Sequence, residues 1–134
     1  MNEKPSTHIP QGMLHVDYHM GILNGLRYCS VNTGPGYKKY IFGANIIKVG
    51  DYYEIDLTSL PDFEGRDMSA FVIHTLSSDR GGKKICVSTG KEPRDEKSAK
   101  DLFMSWCDLN AVYIITGKTP NEQIEENYRN KHNH

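Results

Sequence analysis

The spacing of apolar residues changes once along the chain, near Gly90, and that change restricts the fold more than any other feature. Before it, apolar side chains recur every second residue in short runs separated by turn residues. After it they recur every third and fourth residue. Period two marks a strand with one buried face, and spacings of three and four mark a helix face. Strands gathered first and helices last give an α+β domain. The expectation is about six sequential antiparallel strands, forming a bent sheet or a small barrel, followed by one long and one short C-terminal helix.

The first alternating run is Leu14, Val16, Tyr18, Met20 and Ile22, with His15, Asp17 and His19 between them. Asn24-Gly25 follows, a pair that tolerates positive φ and so predicts a tight hairpin into a second strand over residues 26–31. Residues 33–36 read as a loop. Residues 37–49 read as a long strand with a bulge or bend at Gly43. Gly50-Asp51 turns the chain into a further strand over 52–57, and 61–67 is a surface loop. Two more strands are expected over 70–76 and 83–88, joined through residues 79–82.

Past Gly90, Pro93 suits a helix start, and Ala99, Leu102, Phe103, Trp106, Leu109 and Tyr113 line one helical face. Gly117 is a stop signal. Val112-Tyr113-Ile114-Ile115 favours strand as much as helix. Thr119-Pro120-Asn121-Glu122 is a capping box with proline at the first helical position, opening a short helix to about Arg129. The expected organisation is an arm over residues 1–11, one domain over 12–130 and a frayed tail over 131–134.

The chain has 134 residues, a common size for one domain, with 16 basic and 17 acidic side chains and a net charge of −1. That balance argues against a dedicated nucleic-acid binder. Cys29, Cys86 and Cys107 are odd in number and scattered, as expected of reduced thiols. The first residues lack the apolar stretch of a signal peptide, and no window nears the ~18 apolar residues of a membrane span. The expected location is cytoplasmic.

The order of strands and helix resembles a pleckstrin-homology domain. Gly12-Met13-Leu14-His15-Val16 is similar to that family's opening strand, and Tyr37-Lys38-Lys39-Tyr40-Ile41-Phe42 to its basic-aromatic second strand. Glu54-Ile55-Asp56-Leu57 and Phe71-Val72-Ile73-His74-Thr75 resemble later strands, and Trp106 stands where the family's helix carries a core tryptophan. The resemblance spans roughly residues 12–113. It implies a bent sheet capped by the helix. Tyr40 stands where the family often carries an arginine that contacts phosphoinositides.

Two patterns point to chemistry, and a third only superficially. On a strand, His15, Asp17 and His19 share a face, and two imidazoles with a carboxylate suit zinc, iron or nickel, with His74 as a further ligand from another strand. The alternative is a solvated strand face that happens to hold two histidines. A cysteine nucleophile activated by His74 or His19 competes with the commoner buried thiol. Gly117-Lys118-Thr119 lacks the upstream glycine of a phosphate loop, because that place is Val112. Two basic zones complete the set. One joins Arg27, Tyr28, Tyr37, Lys38, Lys39 and Tyr40. The other joins Arg80, Lys83, Lys84, Lys91 and Arg94. Such clusters attract phosphate groups on lipid or nucleic acid; the alternative is ordinary solvated strand and loop charge, since the stretch 51–67 is acidic and the surface mixed.

The functional expectation is a non-catalytic binding or adaptor module that recognises a protein segment or an anionic, phosphate-bearing ligand, with Arg27, Tyr37, Lys38, Lys39 and Tyr40 as contact residues and no cofactor. One alternative is a small metal-dependent enzyme built on His15, Asp17, His19 and His74. The other is a structural component of a larger assembly.

Overall fold

The computed structural model describes residues 10–15, 24–32 and 38–132. Its strands are β1 (Pro10–His15), β2 (Leu26–Asn32), β3 (Lys38–Val49), β4 (Tyr52–Ser59), β5 (Thr75–Ser77) and β6 (Lys83–Ile85). They form one antiparallel sheet in the order β1-β2-β3-β4-β6-β5. Its helices are α1 (Ala70–Ile73), α2 (Glu96–Thr116) and α3 (Pro120–His132). The fold is α+β, with the long and the short helix following the sheet.

Alternation decides which face of the sheet is dry. Leu26, Tyr28 and Ser30 on β2, Tyr40, Phe42, Ala44 and Ile46 on β3, and Ile55 on β4 are buried. They face α2, whose Ala99, Phe103, Trp106, Cys107, Ala111 and Ile114 complete the core. Phe42 meets Trp106 edge to face with ring centroids 5.8 Å apart, and Tyr28 meets Phe103 at 6.4 Å. Each fully buried aromatic or branched side chain here contributes about 2–3 kcal/mol from removal of apolar surface from water. Arg27 and Cys29 of β2 and the odd-numbered residues in the first half of β3 therefore point away from the helix, as do the even-numbered residues of β4.

The helix ends follow their local chemistry. The Asp95 carboxylate accepts the Ser98 N–H at 2.7 Å as the N-cap of α2, and Gly117 closes it in the left-handed region, φ 82°, with its N–H on Tyr113 O. Val112 to Ile115 are helical, because Tyr113 and Ile114 complete the buried stripe of α2. In α3 the capping box forms reciprocally. Thr119 N–H donates to Glu122 Oε1 at 2.8 Å, and Glu122 N–H donates to Thr119 Oγ1 at 3.2 Å. The bulge expected at Gly43 is present as a register shift between Gly43 and Ala44. A side chain at Gly43 would meet Ser59 Oγ and Thr58 Oγ1 at 2.5 and 2.7 Å, so the bulged strands approach where no Cβ intervenes.

Several expectations are corrected. Pro10 and Gln11 belong to β1 rather than to an arm; residues 1–9 lie outside the described ones. His15 stands opposite Arg27, so Asn24-Gly25 does not close a two-residue hairpin; Gly25 N–H instead donates to Asn45 Oδ1 at 2.7 Å. The expected strand over 70–76 divides into α1 and β5, because His74 adopts the left-handed conformation, φ 65°, between them. Held there, the Ile73 and His74 carbonyls both receive the Trp106 indole N–H, at 2.8 and 3.2 Å. β6 ends at Ile85 and lies between β4 and β5, so the last hairpin is not added in sequence order. α3 runs past Arg129 to His132, which takes Lys131 and His132 out of the expected tail.

Candidate functional site

With α2 on one side, the opposite face of the sheet carries no helix among the described residues, and its two halves differ in charge chemistry. Across β4, β6 and the turn after β5, the Arg80 guanidinium straddles Asp56, with Nε on Oδ2 at 2.6 Å and Nη2 on Oδ1 at 2.9 Å. Nη2 also reaches Glu54 Oε1 at 2.6 Å, and Lys84 Nζ holds Glu54 Oε2 at 2.8 Å. Ser78 Oγ donates to Asp56 Oδ1 and accepts the Arg80 N–H, fixing the turn that carries the arginine. The side chains of Glu54 and Asp56 are only 16% and 14% exposed. Hydrogen bonds from Lys84 and then Arg80 hold the Glu54 carboxyl below its ordinary pKa, and Arg80 does the same for Asp56. Fork geometry with charged partners makes these contacts shorter and stronger than neutral hydrogen bonds.

The other half lies on β2 and β3. Register places Cys29 opposite Ile41, Arg27 opposite Gly43, and Val31 opposite Lys39. Arg27 and Lys39 are exposed, Cys29 is half-buried, and Ile41 is 46% exposed. Four residues of β2 separate the two cation positions, a distance of about 13 Å at the rise of a strand. Among the described residues neither cation has an ion-pair partner, a state they share with Lys48, Lys83, Lys91, Lys100, Lys131, Arg66 and Arg129, whereas Lys38, Lys84, Lys97, Lys118, Arg80 and Arg94 each hold a carboxylate. What sets Arg27 and Lys39 apart is the outer face of paired strands that they share. The arrangement is two open cations flanking an apolar centre.

The expected contact residues are thus separated by strand parity. Arg27 and Lys39 share the open face. Lys38 is engaged by Glu64 at 2.8 Å, which also raises its pKa. Tyr40 is a correction: it is 4% exposed, its ring faces the core, and burial pushes its hydroxyl pKa up. Tyr37 lies outside the described residues. Ile41 and Cys29, the middle of the site, were absent from that set, although period two from Lys39 selects Ile41. In the second basic zone Arg80 and Lys84 close on Glu54 and Asp56, and Arg94 closes on Asp51 at 2.8 Å. The acidic and basic stretches of the sequence are, to that extent, two sides of one network.

For the metal pattern, Asp17 and His19 lie outside the described residues, and His15 is placed only as the end of β1. His74 Nε2 shares a hydrogen bond with Asn121 Oδ1 at 2.9 Å, joining α1 to α3. Among the described residues no three His, Cys, Asp or Glu side chains converge as a ligand set. Cys107 is fully buried, and burial pushes its thiol pKa upward, the reverse of what a nucleophile needs. Asp108 accepts from the Tyr28 hydroxyl at 2.9 Å and the Ser30 hydroxyl at 3.4 Å. Burial raises its pKa while those donors oppose the rise. This carboxylate ties α2 to β2.

No helix among the described residues is long and apolar enough to cross a membrane. Comparison with protein-family models, with curated proteins and with solved structures returns no match, so the geometry of this face carries the functional argument.

Proposed function

We propose that this chain is a non-catalytic module that binds an acidic segment of a partner protein across the outer face of β2 and β3. The observation that carries the reading is the pair of open cations, Arg27 and Lys39, on either side of Ile41 on a sheet face that no described helix covers. Two carboxylates about 13 Å apart with an apolar group between them complement this face. In an extended peptide that spacing is an acidic residue, an apolar residue two positions on, and a second acidic residue two further on. Electrostatic attraction sets the encounter rate and the register, and burial of Ile41 and Cys29 adds the apolar contribution.

The test is selection from a random peptide library displayed on phage, followed by binding measurements on the selected peptides. Peptides carrying the acidic-apolar-acidic pattern should emerge, bind more weakly as salt rises, and lose binding to an Arg27→Glu/Lys39→Glu variant. Selected peptides without acidic residues, or unchanged binding to that variant, defeat the proposal. Binding of inorganic phosphate or anionic vesicles that depends on the same two residues, without any selected peptide, would replace the protein ligand with a phosphate-bearing one.

A further inference from the structure

Six large hydrophobic side chains are exposed among the described residues. Ile41 and Leu76 lie on the sheet, and Met68, Phe71, Ile124 and Tyr128 lie on α1, the loop before it and α3. The α3 pair is distinctive in its setting. The first turn of α3 is held by Pro120, which is fully buried, and by Gln123, whose amide donates to Leu109 O and Lys118 O at 2.9 and 2.8 Å. Beyond Gln123 every described side chain except Glu126 is exposed, including Ile124 at 49% and Tyr128 at 62%. A helix of 13 residues is marginal in water by itself, and helices in folded proteins draw their stability mainly from packing an apolar face.

Ile124 and Tyr128 are four residues apart and form one ridge. Shallow open hollows flank it, bordered by Asn127, Asn130 and Lys131 on one side and by Glu125 and Arg129 on the other. A ridge beside such hollows is the surface that accepts the ridge of another helix. The charges give the direction. The first half of α3 carries Glu122, Glu125 and Glu126, and the second half carries Arg129 and Lys131. Lys118 pairs with Glu126 at 2.8 Å, and among the described residues the ion pairs of α3 stop there. Such a helix repels a parallel copy and matches an antiparallel one.

We infer that α3 is a self-association surface and that its occupant is α3 of a second copy of this chain, packed antiparallel. Ile124 of one copy lies against Tyr128 of the other, and Glu125 faces Arg129 across the flank, both contacts occurring twice by symmetry. The surface is separate from the β2–β3 face, which stays open in the pair. A single helix pair buries little area, so the association is weak and concentration-dependent.

Sedimentation velocity over a concentration series tests this on the full chain. The wild type should pass from monomer to dimer as concentration rises, and Ile124→Glu should remain monomeric. Arg129→Glu and Glu125→Arg should each weaken dimerisation by about tenfold, since each replaces two attractive contacts with repulsive ones. Mixing those two variants should restore a dimer, because the acidic α3 of one then meets the basic α3 of the other. Each variant can be checked for an intact fold by circular dichroism. A wild type that stays monomeric into the millimolar range, an Ile124→Glu variant that dimerises normally, or a mixture no more associated than its components would each overturn the inference.

Discussion

The two halves of the outer sheet face use the same residue types to opposite ends. Around β4 and β6, Arg80 and Lys84 are consumed by Glu54 and Asp56, and the network pins the β5–β6 hairpin onto the sheet. Around β2 and β3, Arg27 and Lys39 stand in water with no carboxylate in reach among the described residues. A charge closed within the fold contributes stability and specificity of packing, whereas an open one contributes little stability and remains available for recognition. Basic residues in a sequence therefore point to a ligand only after their internal partners are subtracted.

The sharpest way to break this contrast is Arg80→Ala. It leaves Asp56 without its fork and Glu54 with Lys84 alone, on carboxylates that are mostly shielded from solvent. Urea denaturation should show a loss of about 2 kcal/mol, short of the cost of breaking a fully buried pair because water reaches the network. A loss indistinguishable from zero would mean that the closed half is no more structural than the open half.

Acid should give the next largest effect. Glu54 and Asp56 have folded-state pKa values below their unfolded ones, so their contribution is present above the unfolded values and disappears as pH falls through the lowered ones. Stability should decline below about pH 4, and more steeply in the wild type than in Arg80→Ala. Asp108 has the opposite sign. Its raised pKa favours folding most when it is protonated, and that contribution is lost as pH rises through the folded value. Asp108→Asn should therefore steepen the acid decline. Parallel pH profiles for the wild type and Arg80→Ala would remove the network from the account.

The smallest effect is expected where the charges are open. Arg27→Ala and Lys39→Ala should each change stability by less than about 0.5 kcal/mol in the same denaturation experiment. A loss as large as that for Arg80→Ala would show that these cations hold the fold together and erase the distinction.

Much of this architecture was legible in the sequence because its signals are local. The stripe Ala99, Phe103 and Trp106, the Thr119–Glu122 capping box and the bulge at Gly43 each follow from residues a few positions apart. The strand expected over 70–76 failed because a short apolar run fits a helical turn as well as a strand, and the Trp106 bonds that hold Ile73 and His74 come from more than thirty residues away. The site was half legible. Arg27 and Lys39 were in the expected set, but only register separates them from Lys38 and Tyr40. The cancellation of Arg80 by Glu54 and Asp56 spans 24 to 26 residues and belongs to the folded sheet alone.

Trp106 is the only tryptophan of the chain, and its indole is wedged between two backbone carbonyls and the edge of Phe42. The fold thus carries a built-in optical probe at the junction of α2, the sheet and the α1–β5 corner. A dry indole emits to the blue of a hydrated one, so a single red shift reports loss of the whole core. Neither half of the outer face touches this fluorophore, so the Arg80, Arg27 and Lys39 variants leave its native signal unaltered and change only the conditions under which it is lost.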